Sequence, residues 1–392
     1  MENDYVLRND TFPKELNWLL ILLQSDISDG DTVQCKPDGM DWEYFLQIAK
    51  HHRVYPAVYV RLNALESDVV PSYVLQSLRS YYNNNTFQML YLSSEMEGIC
   101  KQLGERHIRS LMLKGPVLAQ ELYGDVSLRT SKDLDILVSI DDVERAESIL
   151  VSQGYVVDHE FPRVLEDWKW RFHHISFLHP EKRIQIELHW RLNPDMGKEP
   201  GFELLWDRSR VSAITKYPVH FLGKEDLFLF LVSHGARHAW FRLRWITDID
   251  KIVHKGLEWP VLRELLLEYN CTHVGGQALL LVSDLFKTPI DQEILSITKG
   301  QLQRKLARNS LIFIKNTVNL CSEPHAELDK LYRKYMYLLR WGQQKWNFII
   351  RRFYPSSLDA EALPLPKALH FLYVPLRPFL WLMRQIKQHS SI

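Results

Sequence analysis

The stretch of residues 111–138, LMLKGPVLAQELYGDVSLRTSKDLDILV, constrains the fold of this chain more than any other. It reads as an apolar strand, a Lys-Gly turn, a short helix and a second strand that opens with Asp133-Leu134-Asp135. Because side chains alternate between the two faces of a strand, Asp133 and Asp135 point the same way, about 6.6 Å apart along it. Two carboxylates this close on an apolar strand repel each other and are costly to leave unpaired. A divalent cation would hold both ionised, so the stretch predicts a magnesium site beside a glycine turn.

A third carboxylate is expected beside this pair. In IQIELHW, residues 184–190, Glu187 and His189 share the polar face of a strand that can pair with the Asp133–Asp135 strand. Two acids from one strand and a third from its neighbour can hold two Mg²⁺ or Mn²⁺ ions about 3.5–4 Å apart. We therefore predict Asp133, Asp135 and Glu187 as metal ligands and catalytic residues, with His189 behind them as a supporting residue.

The turn between the first strand and the short helix is typical of a phosphate site. Gly115 lets the backbone approach a phosphate closely, and the N-terminus of the following helix favours negative charge. Lys114 would neutralise phosphate as a point charge, and Arg129 would bind it in a bidentate way. Pro116 follows the glycine and removes one backbone donor from the turn.

In combination, Lys114-Gly115, Arg129, Asp133-x-Asp135 and Glu187 resemble the nucleotidyltransferase superfamily that includes DNA polymerase β and the tRNA CCA-adding enzymes. The order LKG, ELYGD, Arg, DLDILV and ELHW, with a later helix carrying His234, is more closely similar to a bacterial family of uncharacterised nucleotidyltransferases. The resemblance covers roughly residues 15–270. One departure is the turn itself, which is Gly-Pro here and usually Gly-Gly or Gly-Ser in the superfamily.

The resemblance implies an α+β fold: a polymerase-β-like core with a mixed β-sheet, flanked by N- and C-terminal helical regions. It also implies metal-dependent transfer of an NMP group from ATP or another nucleoside triphosphate to an acceptor, with release of pyrophosphate. The acceptor is unknown, and a small molecule, a glycan precursor and a peptide all stay open. Lys114, Gly115, Arg129 and His234 are the implied nucleotide-binding residues.

Periodicity divides the chain into four parts. Residues 1–104 read as a helical region, with one helical segment over 42–62, and 105–222 as the α/β core with a strand pair at 175–178 and 183–190. Residues 223–355 are helical again, and 356–392 form a basic, apolar tail. We expect the tail to dock on the helical region, with a membrane surface as the alternative.

Bulk composition excludes several classes of protein. The net charge is zero, which disfavours binding to nucleic acid through bulk electrostatics. The four cysteines have no metal-ligand spacing and are expected to be reduced. No signal peptide and no apolar run of about 20 residues is visible, so we expect a cytoplasmic protein without a transmembrane segment.

Three further motifs favour structural interpretations. His234 and His238 lie one turn apart on a helix, but the glutamate of a zinc motif is missing, so packing beside the cleft is favoured over metal binding. Residues 51–53, His-His-Arg, are interpreted as a helix surface. Asp248 is expected to orient Arg242 or Arg244.

Two other functional classes stay open at this point. One is a catalytically silent nucleotide-binding or scaffold module, since such folds also occur without activity. The other is a nucleotidyltransferase of the protein-AMPylating or antitoxin type.

Overall fold

The seven strands and their flanking helices come from a computed structural model, which describes residues 7, 12–65, 69–193, 198–318, 326–340 and 342–389. The strands are β1 Ser110–Met112, β2 Asp133–Val138, β3 Val156–Val157, β4 His174–Leu178, β5 Gln185–His189, β6 Arg210–Ser212 and β7 Val219–Phe221. The helices are α1 Lys14–Leu22, α2 Asp29–Gln34, α3 Trp42–His51, α4 Tyr55–Ala64, α5 Ser72–Glu105, α6 Pro116–Tyr123, α7 Val143–Ser152, α8 Trp168–Arg171, α9 Phe202–Asp207, α10 Lys224–Arg237, α11 Leu243–His254, α12 Trp259–Glu268, α13 Thr272–Phe286, α14 Gln301–Lys315, α15 Ala326–Leu339, α16 Gln343–Phe353, α17 Ser357–Ala362 and α18 Tyr373–His389.

The strands form one mixed sheet in the order β3-β4-β5-β2-β1-β7-β6. The β2–β5 and β1–β7 pairs are parallel, and the other neighbours are antiparallel. Helices precede, follow and cover the sheet. The predicted fold class, an α+β protein with a mixed sheet and helical flanks, is confirmed.

Side chains alternate between the two faces of β2 and therefore pack into two different hydrophobic cores. Leu134, Ile136 and Val138 join a core formed with α7 and the second half of α5. Leu137, on the opposite face, joins a larger core. Helices from both ends of the chain build that larger core together, so the predicted helical regions before residue 105 and after residue 222 share apolar packing.

Helix α5 takes part in both cores. Val74 and Leu78 in its first part pack into the larger core, whereas Met89 to Leu103 pack into the core behind the sheet. Asn85, between the two parts, is buried and donates to the carbonyl oxygen of Ser127 at 2.7 Å. The helix is therefore the element that ties the sheet to the helical regions.

Local backbone conformation corrects two sequence predictions. The helical segment expected over 42–62 is two helices, α3 and α4, because Arg53 between them adopts φ 57°. The strand expected from residue 183 begins at Gln185, because Arg183 has φ 55° and its N–H donates to His179 O within the turn. Both residues lie in the left-handed region, which neither a helix nor a strand continues.

The C-terminal tail folds back onto the molecule through polar contacts. Ser357 N donates to Asp167 Oδ1 at 3.0 Å, and α18 contacts α16. The buried Asp359 carboxylate pairs with Arg377 and Arg384. The tail thus packs against the α/β core as well as the helical region. Within the described residues, none of the helices combines the length and the apolar character needed to cross a membrane.

Candidate functional site

The parallel pairing of β2 with β5 builds the centre of the site. Asp135 lies opposite Glu187 in this register, Asp133 opposite Gln185, and Leu137 opposite His189. The expected pairing of the two strands is confirmed. Because all these residues are at odd positions of paired strands, Asp133, Asp135, Glu187 and His189 share one face of the sheet.

Asp135 is the most buried acid of the group and the one with the closest partners. Its Oδ1 atom lies 2.9 Å from Lys114 Nζ and 3.2 Å from His189 Nε2. The same His189 nitrogen is 3.4 Å from Glu187 Oε2. Asp135 Oδ2 is buried and has no hydrogen-bond partner among the described residues. The site therefore offers an unsatisfied carboxylate oxygen next to a lysine and an imidazole.

Mutual interactions keep the site charged despite its burial. Burial raises the pKa of Glu187, but the hydrogen bond with His189 and the charge of Lys114 lower that pKa below its usual value. Burial lowers the pKa of Lys114, but the charges of Asp135 and Asp133 act in the opposite direction. The net result is a pKa above its usual value. Glu187 is thus a carboxylate and Lys114 an ammonium group near neutral pH.

Two groups of side chains in the described part of the chain have the proximity needed for a metal ion. One is Asp135, Glu187 and His189, and the other is His173, His174 and His189, each with ligand atoms within 4.8 Å of one another. Asp133 belongs to neither group. Carboxylate oxygen and imidazole nitrogen are common ligands of divalent ions, so the residues fit a divalent cation.

His173 and His174, which in the sequence belong to a segment interpreted as a loop that could cover the cleft, lie beside the candidate site. His174 pairs with His189 in the antiparallel β4–β5 ladder, and its Nε2 lies 4.0 Å from Glu187 Oε1. Burial and the neighbouring His189 lower the pKa of His174 to about 4. His173 Nε2 lies 3.0 Å from His174 Nδ1 and 2.6 Å from Arg237 Nη1. The predicted hairpin already contained the signal, since its strands place His174 beside the Glu187 face.

The Lys114-Gly115 turn is held against β2, the strand that carries Asp133 and Asp135. Leu113 N donates to Asp135 O at 2.9 Å, which holds the residue before Lys114 against β2. Gly115 then adopts φ 84° and ψ −144°, a conformation that is essentially restricted to glycine. Pro116 is the first residue of α6, so the turn delivers Lys114 to Asp135 and starts the helix beside it.

Arg129 lies in a buried ion pair. Its Nε and Nη2 atoms donate to Asp248 Oδ1 and Oδ2 at 2.8 and 2.9 Å, and Tyr123 OH also donates to Asp248 at 2.9 Å. Asp248 was expected to orient Arg242 or Arg244; the structure pairs it with Arg129 and Tyr123, and its charge also acts on Arg244. The predicted triphosphate contact of Arg129 stays a prediction.

A family comparison adds the class of chemistry. The family model described as uncharacterised nucleotidyltransferase matches residues 38–287, which contain the whole site. The chain belongs to this nucleotidyltransferase family. No curated protein matches the chain. Membership supports transfer of a nucleotidyl group as the general activity.

Within the nucleotidyltransferase match, His234 is packed among aromatic rings. It is buried, 5.6 Å from the Trp245 ring centroid and 4.8 Å from that of His238. Burial, and next the charge of Lys114, lower the pKa of His234 well below its usual value. His234 and His238 are absent from both metal-capable groups of the described residues. The predicted nucleotide contact of His234 stays a prediction.

A group of cations borders the nucleotidyltransferase site next to Asp133. Arg244 N donates to His52 O at 3.3 Å, and Arg244 Nη1 donates to Thr130 Oγ1 at 3.1 Å. Through these two contacts, Arg244 holds the chain just before Arg53 close to the chain just before Lys132. The charge of Arg53 is the largest cause that lowers the pKa of Lys132. His52 is fully buried, whereas His51 and Arg53 are half-buried, so the interpretation as a helix surface is wrong for His52.

Proposed function

We propose that the protein is a divalent-metal-dependent nucleotidyltransferase that moves an NMP group from a nucleoside triphosphate to an acceptor. The observation that carries the proposal is the β2–β5 register, which sets Asp135 beside Glu187 within the family match. In the reaction, an acceptor oxygen or nitrogen forms a bond to the α-phosphorus. The bond from that phosphorus to the oxygen that bridges the α- and β-phosphates breaks, and pyrophosphate leaves with the bonding electrons. The proton of the acceptor group passes to solvent.

The acids on the sheet would hold the cation. Asp135 and Glu187 supply carboxylate oxygens, and Asp133 lies two residues before Asp135 on the same face. Bound Mg²⁺ or Mn²⁺ would supply Lewis-acid stabilisation of the charge that develops on the phosphate oxygens. Glu187 would face the acceptor, because it comes from the neighbouring strand and stays ionised through His189 and Lys114.

The triphosphate would lie on the cationic side of the site. Lys114 is beside Asp135, and Lys132 is crowded by Arg53 and two other arginines, an arrangement that an anion would relieve. We assign Arg129 a positioning role, since a direct phosphate contact would require it to leave a buried carboxylate. His234 would line the nucleotide side of Lys114.

Pyrophosphate release tests the proposal directly. Purified protein with Mg²⁺ or Mn²⁺ should release pyrophosphate from at least one of the four ribonucleoside triphosphates in the presence of an acceptor panel. The Asp135→Asn and Glu187→Gln variants should lose this release. Absence of both pyrophosphate release and nucleotide binding by calorimetry would overturn the proposal.

One observation favours a second candidate, a nucleotide-binding module without catalysis. Lys114 Nζ already neutralises Asp135 at 2.9 Å, as a lysine does in a site that binds an anion without a metal. This candidate predicts nucleotide binding that is unchanged by a metal chelator and no pyrophosphate from any substrate. Transfer to a protein acceptor would instead appear as added nucleotide mass on a co-purified protein.

A further inference from the structure

We infer that His189 is itself a metal ligand, which makes this cation site selective for a transition-metal ion over Mg²⁺. The inference rests on the proposed function in one respect, that a divalent cation binds at Asp135 and Glu187. It adds the chemical class of the cation and assigns a nitrogen donor to the site.

The spacing of the three side chains fits a single ion. His189 Nε2 is 3.2 Å from Asp135 Oδ1 and 3.4 Å from Glu187 Oε2. Ligands bound at about 2.0–2.2 Å with angles between octahedral and tetrahedral values lie about 2.8–3.6 Å from one another. The Nε2 atom therefore occupies the position of a third ligand beside the two carboxylates.

Charge and hydrogen bonding also favour a cation here. Asp135 and Glu187 bring two carboxylates to one ammonium group, Lys114, which leaves a negative charge for a divalent ion to balance when His189 is neutral. Asp135 Oδ2 is buried and has no partner among the described residues. A hydrogen bond from His189 to the two carboxylates leaves that oxygen unsatisfied, whereas a bound cation can also contact it.

The donor set decides between metals. Mg²⁺ prefers six oxygen ligands in a nearly ideal octahedron and retains water. Imidazole nitrogen suits the transition-metal ions, and mixed carboxylate and imidazole sets are typical of them. A buried His189 ring between the two carboxylates thus lowers the fit to Mg²⁺ and raises the fit to the transition-metal ions that bind imidazole.

Pulsed electron paramagnetic resonance of Mn²⁺ bound to the full chain tests the nitrogen ligand without an activity assay. The wild type should show ¹⁴N coupling from a directly bound imidazole, which changes when the protein carries ¹⁵N-labelled histidine. His189→Asn should lose this coupling and lose affinity for Mn²⁺ by on the order of 10–100-fold, with a much smaller change for Mg²⁺. The control is His107→Asn, at an exposed position whose φ of 58° asparagine accepts.

The outcomes separate this inference from the proposed function. Mn²⁺ binding without ¹⁴N coupling, or unchanged coupling in a folded His189→Asn variant, overturns the nitrogen ligand and leaves the proposed function standing. If that variant does not fold, the labelled wild type still decides the question. Absence of divalent-ion binding together with absence of pyrophosphate release overturns both.

A second inference comes from an independent observation, the C-terminal surface formed by residues 343–389. Among the described residues, 15 of the 32 large hydrophobic side chains that are exposed belong to this segment. Trp346, Phe353, Phe371 and Phe379 are each more than 60% exposed. Phe353, Trp381 and Leu382 line one cavity together with Arg377 and Pro378. Part of this apolar surface is therefore contiguous, and a contiguous exposed apolar surface marks an interaction site.

Charge identifies the kind of partner. In sequence, residues 343–389 include seven Lys and Arg and two Asp and Glu, in a chain with no net charge. One of these acids, Asp359, is buried between Arg377 and Arg384. Exposed aromatic rings together with basic residues match the boundary between anionic headgroups and acyl chains. We propose that the C-terminal surface docks on an anionic lipid bilayer.

Vesicle co-sedimentation of the full chain tests the docking. The protein should bind vesicles of phosphatidylcholine with about 30% phosphatidylserine, and bind less at high salt. Phe379→Glu with Trp381→Glu should weaken binding by at least about tenfold, whereas Phe87→Glu, exposed on α5, should not. Absence of binding, equal binding to pure phosphatidylcholine, or self-association that the double variant abolishes would overturn the proposal.

Discussion

The Arg129 guanidinium and the Asp248 carboxylate face each other in a bidentate ion pair, with both side chains buried and the two residues 119 positions apart in sequence. Arg129 directly precedes the segment that leads into β2, and Asp248 lies on α11. The pair therefore fixes the approach to β2 against a helix of the C-terminal region. Tyr123, at the end of α6, joins the same carboxylate.

Removing one member of this pair should destabilise the whole protein. Asp248→Asn leaves the Arg129 charge buried without its carboxylate, and we expect the free energy of unfolding to fall by about 3–5 kcal/mol. Urea denaturation measures the change. Arg145→Gln is the control, because Arg145 forms an exposed pair with Asp142 and should cost less than about 1 kcal/mol. Equal effects of the two variants would contradict the importance of the buried pair.

Backbone conformation predicts that a Gly→Ala substitution has opposite effects on stability at the Lys114-Gly115 turn and in α5. Gly115→Ala should destabilise the protein by about 1–3 kcal/mol, since φ is 84° there although space for a Cβ exists. It should also weaken nucleotide binding, because the turn positions Lys114. Gly98→Ala, in the exposed interior of α5 with no atom within 4 Å, should stabilise by roughly 0.5–1 kcal/mol. Thermal unfolding and calorimetry measure the two effects.

The cations beside Asp133 predict a salt-dependent contribution to nucleotide affinity. Lys132 is exposed and crowded by Arg53, so Lys132→Ala should raise the Kd for a nucleoside triphosphate by about tenfold at low salt. The difference should shrink as salt screens the charges. Lys101→Ala, on the exposed side of α5, is the matched control and should leave the Kd unchanged. Titration calorimetry at two salt concentrations would show whether Lys132 contacts the phosphates.

Buried histidines predict how stability depends on pH. Burial, and next the charge of Arg237, lower the pKa of His238 from 6.5 to about 3 in the folded state. Below pH 6.5 the unfolded chain takes up a proton that the folded protein refuses, so stability falls as the pH decreases toward about 3. His238→Phe keeps the ring beside Trp245 and should reduce this loss between pH 7 and pH 4.5, as measured by urea denaturation.

The contribution of His254 to stability should depend on pH in the opposite direction. Burial lowers its pKa, but hydrogen bonds to Asp250 and Asp26 raise it above 6.5 in the folded state. Its contribution to stability is therefore complete below pH 6.5 and is lost as the pH rises through the folded-state pKa. His254→Gln should destabilise the protein more at pH 5.5 than at pH 9. The same dependence in both histidine variants would contradict the assignment.

Periodicity and motif order predicted the fold class and the strand that carries Asp133 and Asp135. They also predicted the pairing of that strand with the Glu187 strand, because alternation along β2 and β5 is a local property of the sequence. The division of α3 from α4 was missed, although Pro56 in the first turn of α4 is a signal for the start of a helix. The left-handed conformation of Arg53 between the two helices is not specified by its residue type.

The partners of individual charged residues were not predictable in the same way. Arg129 was interpreted as a phosphate ligand, and its carboxylate lies on a helix 119 residues later that only tertiary packing brings close. His173 and His174 were nearer to prediction. Their place beside Glu187 follows from the antiparallel β4–β5 pairing, once the strand ends are known.

The sheet depends on helix α5, nearly all of which lies before the predicted start of the α/β core at residue 105. Its second half, Met89 to Leu103, covers the apolar face formed by Leu134, Ile136 and Val138. A fragment cut at residues 105–222 would expose that face to water, so it should be aggregation-prone when expressed alone. The smallest independently folding unit that contains the site must therefore begin at or before α5, and the two cores should unfold in one cooperative transition.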